Sequence, residues 1–170
     1  MFFLFSVKHD SNIPKKYERR KIMDYENYEA ECDKIREDNE KLLDDFEVWL
    51  KKTKIKSKTI NNHIANVDLY INDFLLYEDA VEAKEGASDI GMYLGYWFIK
   101  KVSWSSPAQI KSNAASLKKF YTFLYEKKMI NKKELDRLKE RIKEEMSEWI
   151  ATVRRYHDPS IEDMETVWGL

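Results

Sequence analysis

Lysine is the residue type whose placement in this chain could do chemistry, and the chemistry is the binding of phosphate. Lys54, Lys56 and Lys58 alternate with other residues in one short stretch, and Lys111 and Lys118 stand a heptad apart on one side of a helical segment. The formal net charge of −1 over 170 residues hides this clustering. Residues 1–52 carry 11 basic and 13 acidic groups, residues 53–133 carry 13 and 8, and residues 134–170 carry 6 and 10. Clustered ammonium groups set up a local field that the net charge does not report, so a positive middle between acidic ends points to a partner bearing phosphates.

Catalytic chemistry finds no comparable footing. His9, His63 and His157 are far apart, and none sits at a metal-ligand spacing, so neither a metal nor another cofactor is expected. Asp44–Asp45 and Glu144–Glu145 are adjacent carboxylates on helical segments whose other face is apolar, which reads as a solvated surface. The four glycines are too scattered to form a phosphate-cradling loop. The aromatic runs at 92–98 and 120–125 have helical spacing and belong to a core, with Trp104 and Tyr125 as candidates for its rim. The single Cys32 excludes an internal disulfide, which fits a reducing, cytoplasmic compartment. The apolar opening MFFLFSV lacks the basic residues that precede a signal-peptide core. Both it and Ile90 to Ile99 are too short to span a membrane.

The elements that must position the lysines are helical. Only 4 Gly and 3 Pro leave few turns, and the length suits one domain with a sizeable core. The clearest helix runs from Ser106 to Lys127–Lys128. Ser106 caps it, Pro107 takes the first helical position, and Gln109 completes a Ser-x-x-Gln box. Ile110, Ala114, Leu117, Tyr121 and Leu124 form its apolar face.

Upstream, Tyr25, Tyr28, Cys32, Ile35, Asn39, Leu42, Phe46 and Trp49 make an unbroken seam at steps of three and four. Asp24 is its expected N-cap, and the helix either continues through Asp38–Asn39 or breaks there. Ser57 is expected to cap the next helix. Ile60, Ile64, Val67, Ile71 and Phe74 would face inward, and Lys58, Asn62, Asn66 and Asp73 outward. A shorter helix starts at Ser88 or Asp89, and its Gly91 and Gly95 allow a neighbour to come close. Asn131 and Glu134 form a capping box for a last long helix carrying Leu135, Leu138, Ile142, Met146, Trp149 and Val153 inward. The fold expected is all-α, a single bundle of about five helices over residues 23–155. Residues 1–22 are expected to be an arm and 156–170 an irregular tail.

Three of these segments together resemble the N-terminal core-binding, SAM-like domain of phage integrases and other tyrosine recombinases. LLDDFEVWL (42–50) is similar to the family's opening helix. SKTINNHIANVDLYINDFL (57–75) is similar to its second helix, and SLKKFYTFLYEKKMI (116–130) resembles its Leu-Arg-x-Phe-Tyr helix and following turn. The resemblance covers about residues 40–130. It implies a helical domain that clamps one side of duplex DNA, with the second and fourth helices over the groove and phosphates. Carried over by position, Ser57, Thr59 and Asn62 become DNA contacts from the second helix. Lys118 stands where the family often has Arg, with Lys111 on the same face. Helix N-termini and lysine faces both suit phosphate.

The family's strand-cleaving residues have no counterpart here. Arg154, Arg155, Tyr156 and His157 follow a helix directly and lack the required context, so cutting or joining of DNA is not expected. The DNA-binding set is therefore Lys54, Lys56, Ser57, Lys58, Thr59, Asn62, Lys111 and Lys118. The alternative expectation is a helical protein–protein interaction module or homodimer that does not bind DNA. In it the Tyr25–Trp49 seam, longer than a compact bundle needs, pairs with a partner helix or a second copy.

Overall fold

The computed structural model describes residues 15–169, with side chains from residue 24 onward. Among the described residues there are six helices and no strand. Helix α1 is Lys15–Lys51. Helix α2 covers 57–74, α-helical over Ser57–Asp68 and more loosely wound over Leu69–Phe74, where the Leu75 N–H reaches back five residues to the Tyr70 carbonyl. Helix α3 covers 90–101, with a similar wide turn at Tyr93–Trp97. Helices α4 (Pro107–Glu126), α5 (Lys132–Tyr156) and α6 (Met164–Trp168) follow.

The strongest helices are those with chemically complete ends. In α4 the Ser106 hydroxyl accepts from the Gln109 N–H at 3.3 Å, with Pro107 at the first position. In α5 both halves of the capping box are made: Glu134 N–H to Asn131 Oδ1 at 3.0 Å, and Asn131 N–H to Glu134 Oε2 at 2.8 Å. Helix α4 is the centre of the bundle, packing α2 on one flank and α5 on the other. Ile110, Leu117, Phe120, Tyr121, Phe123 and Leu124 are all fully buried on it. The Phe120 ring meets Phe46 of α1 edge-on at 5.3 Å between centroids, and Tyr70 of α2 meets Tyr93 of α3 at 4.8 Å. Gly86 lets the α2–α3 connection close over this core. A Cβ there would lie 2.5 Å from a Leu75 methyl carbon, and its carbonyl accepts from the Tyr70 hydroxyl.

Several expectations need correction. Helix α1 begins at Lys15, so Asp24 lies inside it; no proline or glycine separates the two. The expected arm at residues 1–22 thus holds helix from residue 15, and residues 1–14 lie outside the described residues. The helix is unbroken at Asn39, which is buried and donates from Nδ2 to the Ile71 carbonyl and to Asn72 Oδ1. The first half of the Tyr25–Trp49 seam packs against its own chain at Cys32 and Ile35. Cys32 and Ile35 are buried with Leu76, Tyr28 packs against them, and the Tyr28 hydroxyl donates to the Leu76 carbonyl. Of the seam residues only Tyr25 stays well exposed, at 62%.

The segment after residue 155 is not irregular throughout. Asp163 caps α6 through the N–H groups of Glu165 and Thr166, Val167 is buried, and the Arg155 guanidinium donates to the Val167 carbonyl at 2.9 Å. A five-residue helix offers too few positions to show a period, and Pro159 lies before it.

Among the described residues no helix is long and apolar enough to cross a membrane.

Candidate nucleic-acid interface

The charge asymmetry sharpens once the packing is known. Residues 53–67 and 104–125, the start of α2 with its preceding loop and nearly the whole of α4, contain six lysines and no carboxylate. They are Lys54, Lys56, Lys58, Lys111, Lys118 and Lys119. Helices α2 and α4 lie side by side, so these segments form one region of the molecule. Several cations elsewhere are matched locally: Arg36 with Asp33, Lys51 with Glu47, Lys127 with Asp45, Arg141 with Glu145. Among the described residues none of the six lysines enters an ion pair.

Beside the apolar core that both helices share, the α2–α4 contact holds a polar seam. Ser116, fully buried, donates its single hydroxyl proton to the Ser112 carbonyl at 2.9 Å. It must therefore accept from its two other neighbours, Asn66 Nδ2 at 2.9 Å and His63 Nδ1 at 2.8 Å, which assigns the imidazole proton to Nδ1. Asn66 Nδ2 also donates to the Ser112 hydroxyl at 3.0 Å, and Asn62 Nδ2 to the same oxygen at 2.8 Å. Burial, and then the positive charge of nearby Lys119, hold His63 below its ordinary pKa. This seam corrects the expectation that Asn66 faces away: it is 8% exposed and turned toward α4.

The expected DNA-binding residues fall into two groups. Lys54, Lys56, Ser57, Lys58, Thr59 and Asn62 are all exposed and occupy one corner. Lys54 adopts the left-handed conformation (φ 58°) in the turn after α1. Ser57 is not the cap: Lys56 is the N-cap residue, in extended conformation, and no side chain closes the helix end. Among the described residues nothing accepts from the Ser57 or Lys58 N–H, and no acidic residue lies in the first turn. The positive end of α2 is thus uncompensated beside three lysines. Asn62 is exposed and donates one N–H to Ser112, which leaves its second N–H and its carbonyl oxygen for a ligand.

Lys111 and Lys118 are exposed on α4. Each precedes by one residue a position on the seam, Ser112 and Lys119, and one residue turns a helix by about 100°. Lys119 is the residue sequence reasoning missed. Its neighbour Lys118 drew attention through the heptad spacing, while the influence of Lys119 on His63 places it on the α2 side.

No family model, curated protein or solved structure matches the chain. The reading of this face therefore rests on its own residues. A second cleft of about 460 Å³, between the end of α2 and α3, is built differently. There Lys100 and Lys101 lie over the Tyr96 and Tyr77 rings, at 5.1 and 4.9 Å, and Glu78, Asp79 and Asp89 share the lining. Its cations are already engaged, and its carboxylates disfavour phosphate.

Among the described residues no cluster of His, Cys, Asp or Glu could hold a metal ion.

Proposed function

We propose that this chain binds duplex DNA without cutting it, as a helical domain of the recombinase core-binding kind. The observation that carries the reading is the pairing of two packed segments that hold six lysines, no carboxylate and no internal ion pair. A polyanion is the partner that such a face favours, because each lysine that meets a phosphate releases a condensed counterion. The uncapped N-terminus of α2 adds backbone N–H donors aimed along the same corner. In this reading Lys54, Lys56, Lys58, Lys111, Lys118 and Lys119 hold phosphates, while Ser57, Thr59 and Asn62 set register as uncharged contacts.

The test is affinity for a short labelled blunt duplex, read by fluorescence anisotropy across a salt series. Six phosphate contacts give a log–log slope of about −5, and about a 10³-fold loss of affinity between roughly 50 and 200 mM salt. Each lysine changed to Gln lowers the slope by about 0.9. Absence of binding at the lowest salt, or an affinity indifferent to salt, would sink the proposal. The duplex recovered from the complex should be intact on a denaturing gel; a cleaved strand would overturn the non-catalytic part alone.

A further inference from the structure

Trp104 is the large side chain that neither the core nor the lysine face explains. It is 65% exposed, in the turn between α3 and α4, although tryptophan carries the largest area for burial of any residue. Beside it lies a cleft of about 360 Å³, within the size range of small-molecule sites, where α2, α3 and α4 meet. Trp104 shares the lining with Asn62, Asn66, Gln109, Asp68 and Asp73.

These groups have capacity to spare. Asn66 is 8% exposed and places both hydrogen bonds of its NH2 within the protein, yet among the described residues nothing donates to its Oδ1. The same holds for Asn62 Oδ1, and the Gln109 side-chain amide makes no hydrogen bond among the described residues. The cleft is also the continuation of the cationic seam. Asn62 belongs to both, Lys58 stands one turn before it, and Lys111 lies two residues beyond Gln109.

The charge changes sign along this line. At the Lys54–Lys58 end there is no carboxylate; at the Trp104 end Asp68 and Asp73 line the wall. A phosphate is excluded from the acidic end. A flat, uncharged ring bearing N–H donors suits it: it can stack on indole and donate to carboxylate or amide oxygens. An extended peptide would not need a stacking platform, and an intact base pair keeps its ring faces against its neighbours.

We propose that the cleft beside Trp104 takes one unpaired nucleobase of the bound DNA, stacked on the indole and contacted at its edge by Asn62, Gln109 and the Asp68–Asp73 wall. This rests on the DNA-binding reading above and narrows it: the preferred substrate is a duplex with an unpaired base at an end, gap or bulge, held by its phosphates on the lysines. Asn62 Oδ1 and the carboxylates accept, and the Gln109 amide can donate as well, so the edge contacts suit any base that bears an N–H donor.

The experiment compares a blunt duplex with the same duplex carrying a short single-stranded overhang, for the wild-type chain, Trp104→Ala and Trp104→Phe. Stacking on one aromatic residue gives a preference for the overhang of about 5- to 150-fold. Trp104→Ala abolishes that preference while leaving blunt-duplex affinity unchanged, and Trp104→Phe keeps part of it. Because the side chain is exposed, thermal unfolding of each variant should match wild type. Equal wild-type affinity for the two duplexes overturns the inference and leaves the DNA-binding reading standing. So does a preference that survives Trp104→Ala, or a loss shared equally by both duplexes. Failure of the wild type to bind either duplex overturns both.

Discussion

Replacing Ser116 by alanine tests whether the polar seam holds α2 against α4. The hydroxyl makes three hydrogen bonds, to the Ser112 carbonyl and from Asn66 Nδ2 and His63 Nδ1. Its removal does not orphan Asn66, which keeps Ser112 at 3.0 Å. His63, 6% exposed, loses the partner of its Nδ1–H. A buried polar group left unpaired costs about 1–3 kcal/mol, and alanine's better helix propensity returns about 0.5 kcal/mol, so the net loss should be about 1–2 kcal/mol. For a chain of this size that lowers Tm by about 2–8 °C. Urea unfolding followed by far-UV circular dichroism measures it directly, with an unchanged m-value as the sign that only stability moved. The double variant His63→Leu/Ser116→Ala should cost less than the sum of the two single changes, because removing both partners leaves nothing unpaired. A Ser116→Ala loss under about 0.5 kcal/mol, or strict additivity in the double variant, would refute the seam as described.

Two further outcomes follow from the same packing. His63 has a lowered pKa in the folded chain, so its neutral form is the one that folding favours. Its contribution is complete above the unfolded value of about 6.5 and is lost as pH falls below it, since the unfolded chain takes up the proton first. Asp73 and Asp89, whose pKa values are raised by burial, act in the opposite direction. The measurement is therefore a difference: between about pH 7.5 and 5.5, wild type should lose more stability than His63→Gln, and parallel profiles would disprove the assignment. On α3, Gly91 and Gly95 should respond to alanine with opposite signs. A Cβ at Gly95 meets the buried Trp149 ring at 3.0 Å, so Gly95→Ala should destabilise by about 1–2 kcal/mol despite its helix propensity. At Gly91 the one close atom is the Glu145 Oε2, at 3.0 Å, the end of a half-exposed side chain that can move, while Arg141 Nε stands at 3.4 Å, so Gly91→Ala should stabilise by about 0.5–1 kcal/mol. Thermal unfolding of the two variants decides this.

The parts of the fold that were legible in the sequence are those with local causes. Ser106 with Pro107, and Asn131 with Glu134, set helix starts by contacts three residues apart, and both starts stand where those residues placed them. The apolar faces of α4 and α5 follow from a period that spans several turns. What could not be read depends on the partner element. Asn66 looks like a solvent-facing residue until Ser112 and Ser116 arrive opposite it, and the partners of Asn39, placed on the seam by its spacing, are known only once Ile71 and Asn72 lie beside it. Ser57 has the chemistry of a cap, but the extended backbone at Lys56 starts the helix one residue earlier and leaves Ser57 within it. For the candidate site, the lysines were visible as residue types, while the absence of any carboxylate between the two segments became meaningful only when α2 and α4 were seen to pack. Lys119 and the Trp104 cleft needed the same information.

In the DNA-binding reading proposed above, that packing also accounts for how a chain of net charge −1 would present a face to a polyanion. At physiological salt the Debye length is about 8 Å, so exposed carboxylates on the far helices are screened from a ligand held at the α2–α4 face. What a phosphate meets is the local set, six lysines with no internal counterion. Most of the remaining acids are on α1 and α5, where several close intrahelical pairs with Lys or Arg. The acids of α1 and α5 and the carboxylate-free stretches 53–67 and 104–125 give an uneven charge distribution at nearly zero total charge. In the proposed reading such a charge distribution would steer a polyanion toward the lysines, because the opposite approach brings carboxylates toward the phosphates. The polar seam is the means of holding two lysine-bearing helices together: its hydrogen bonds have directions that fix the rotation of α2 against α4.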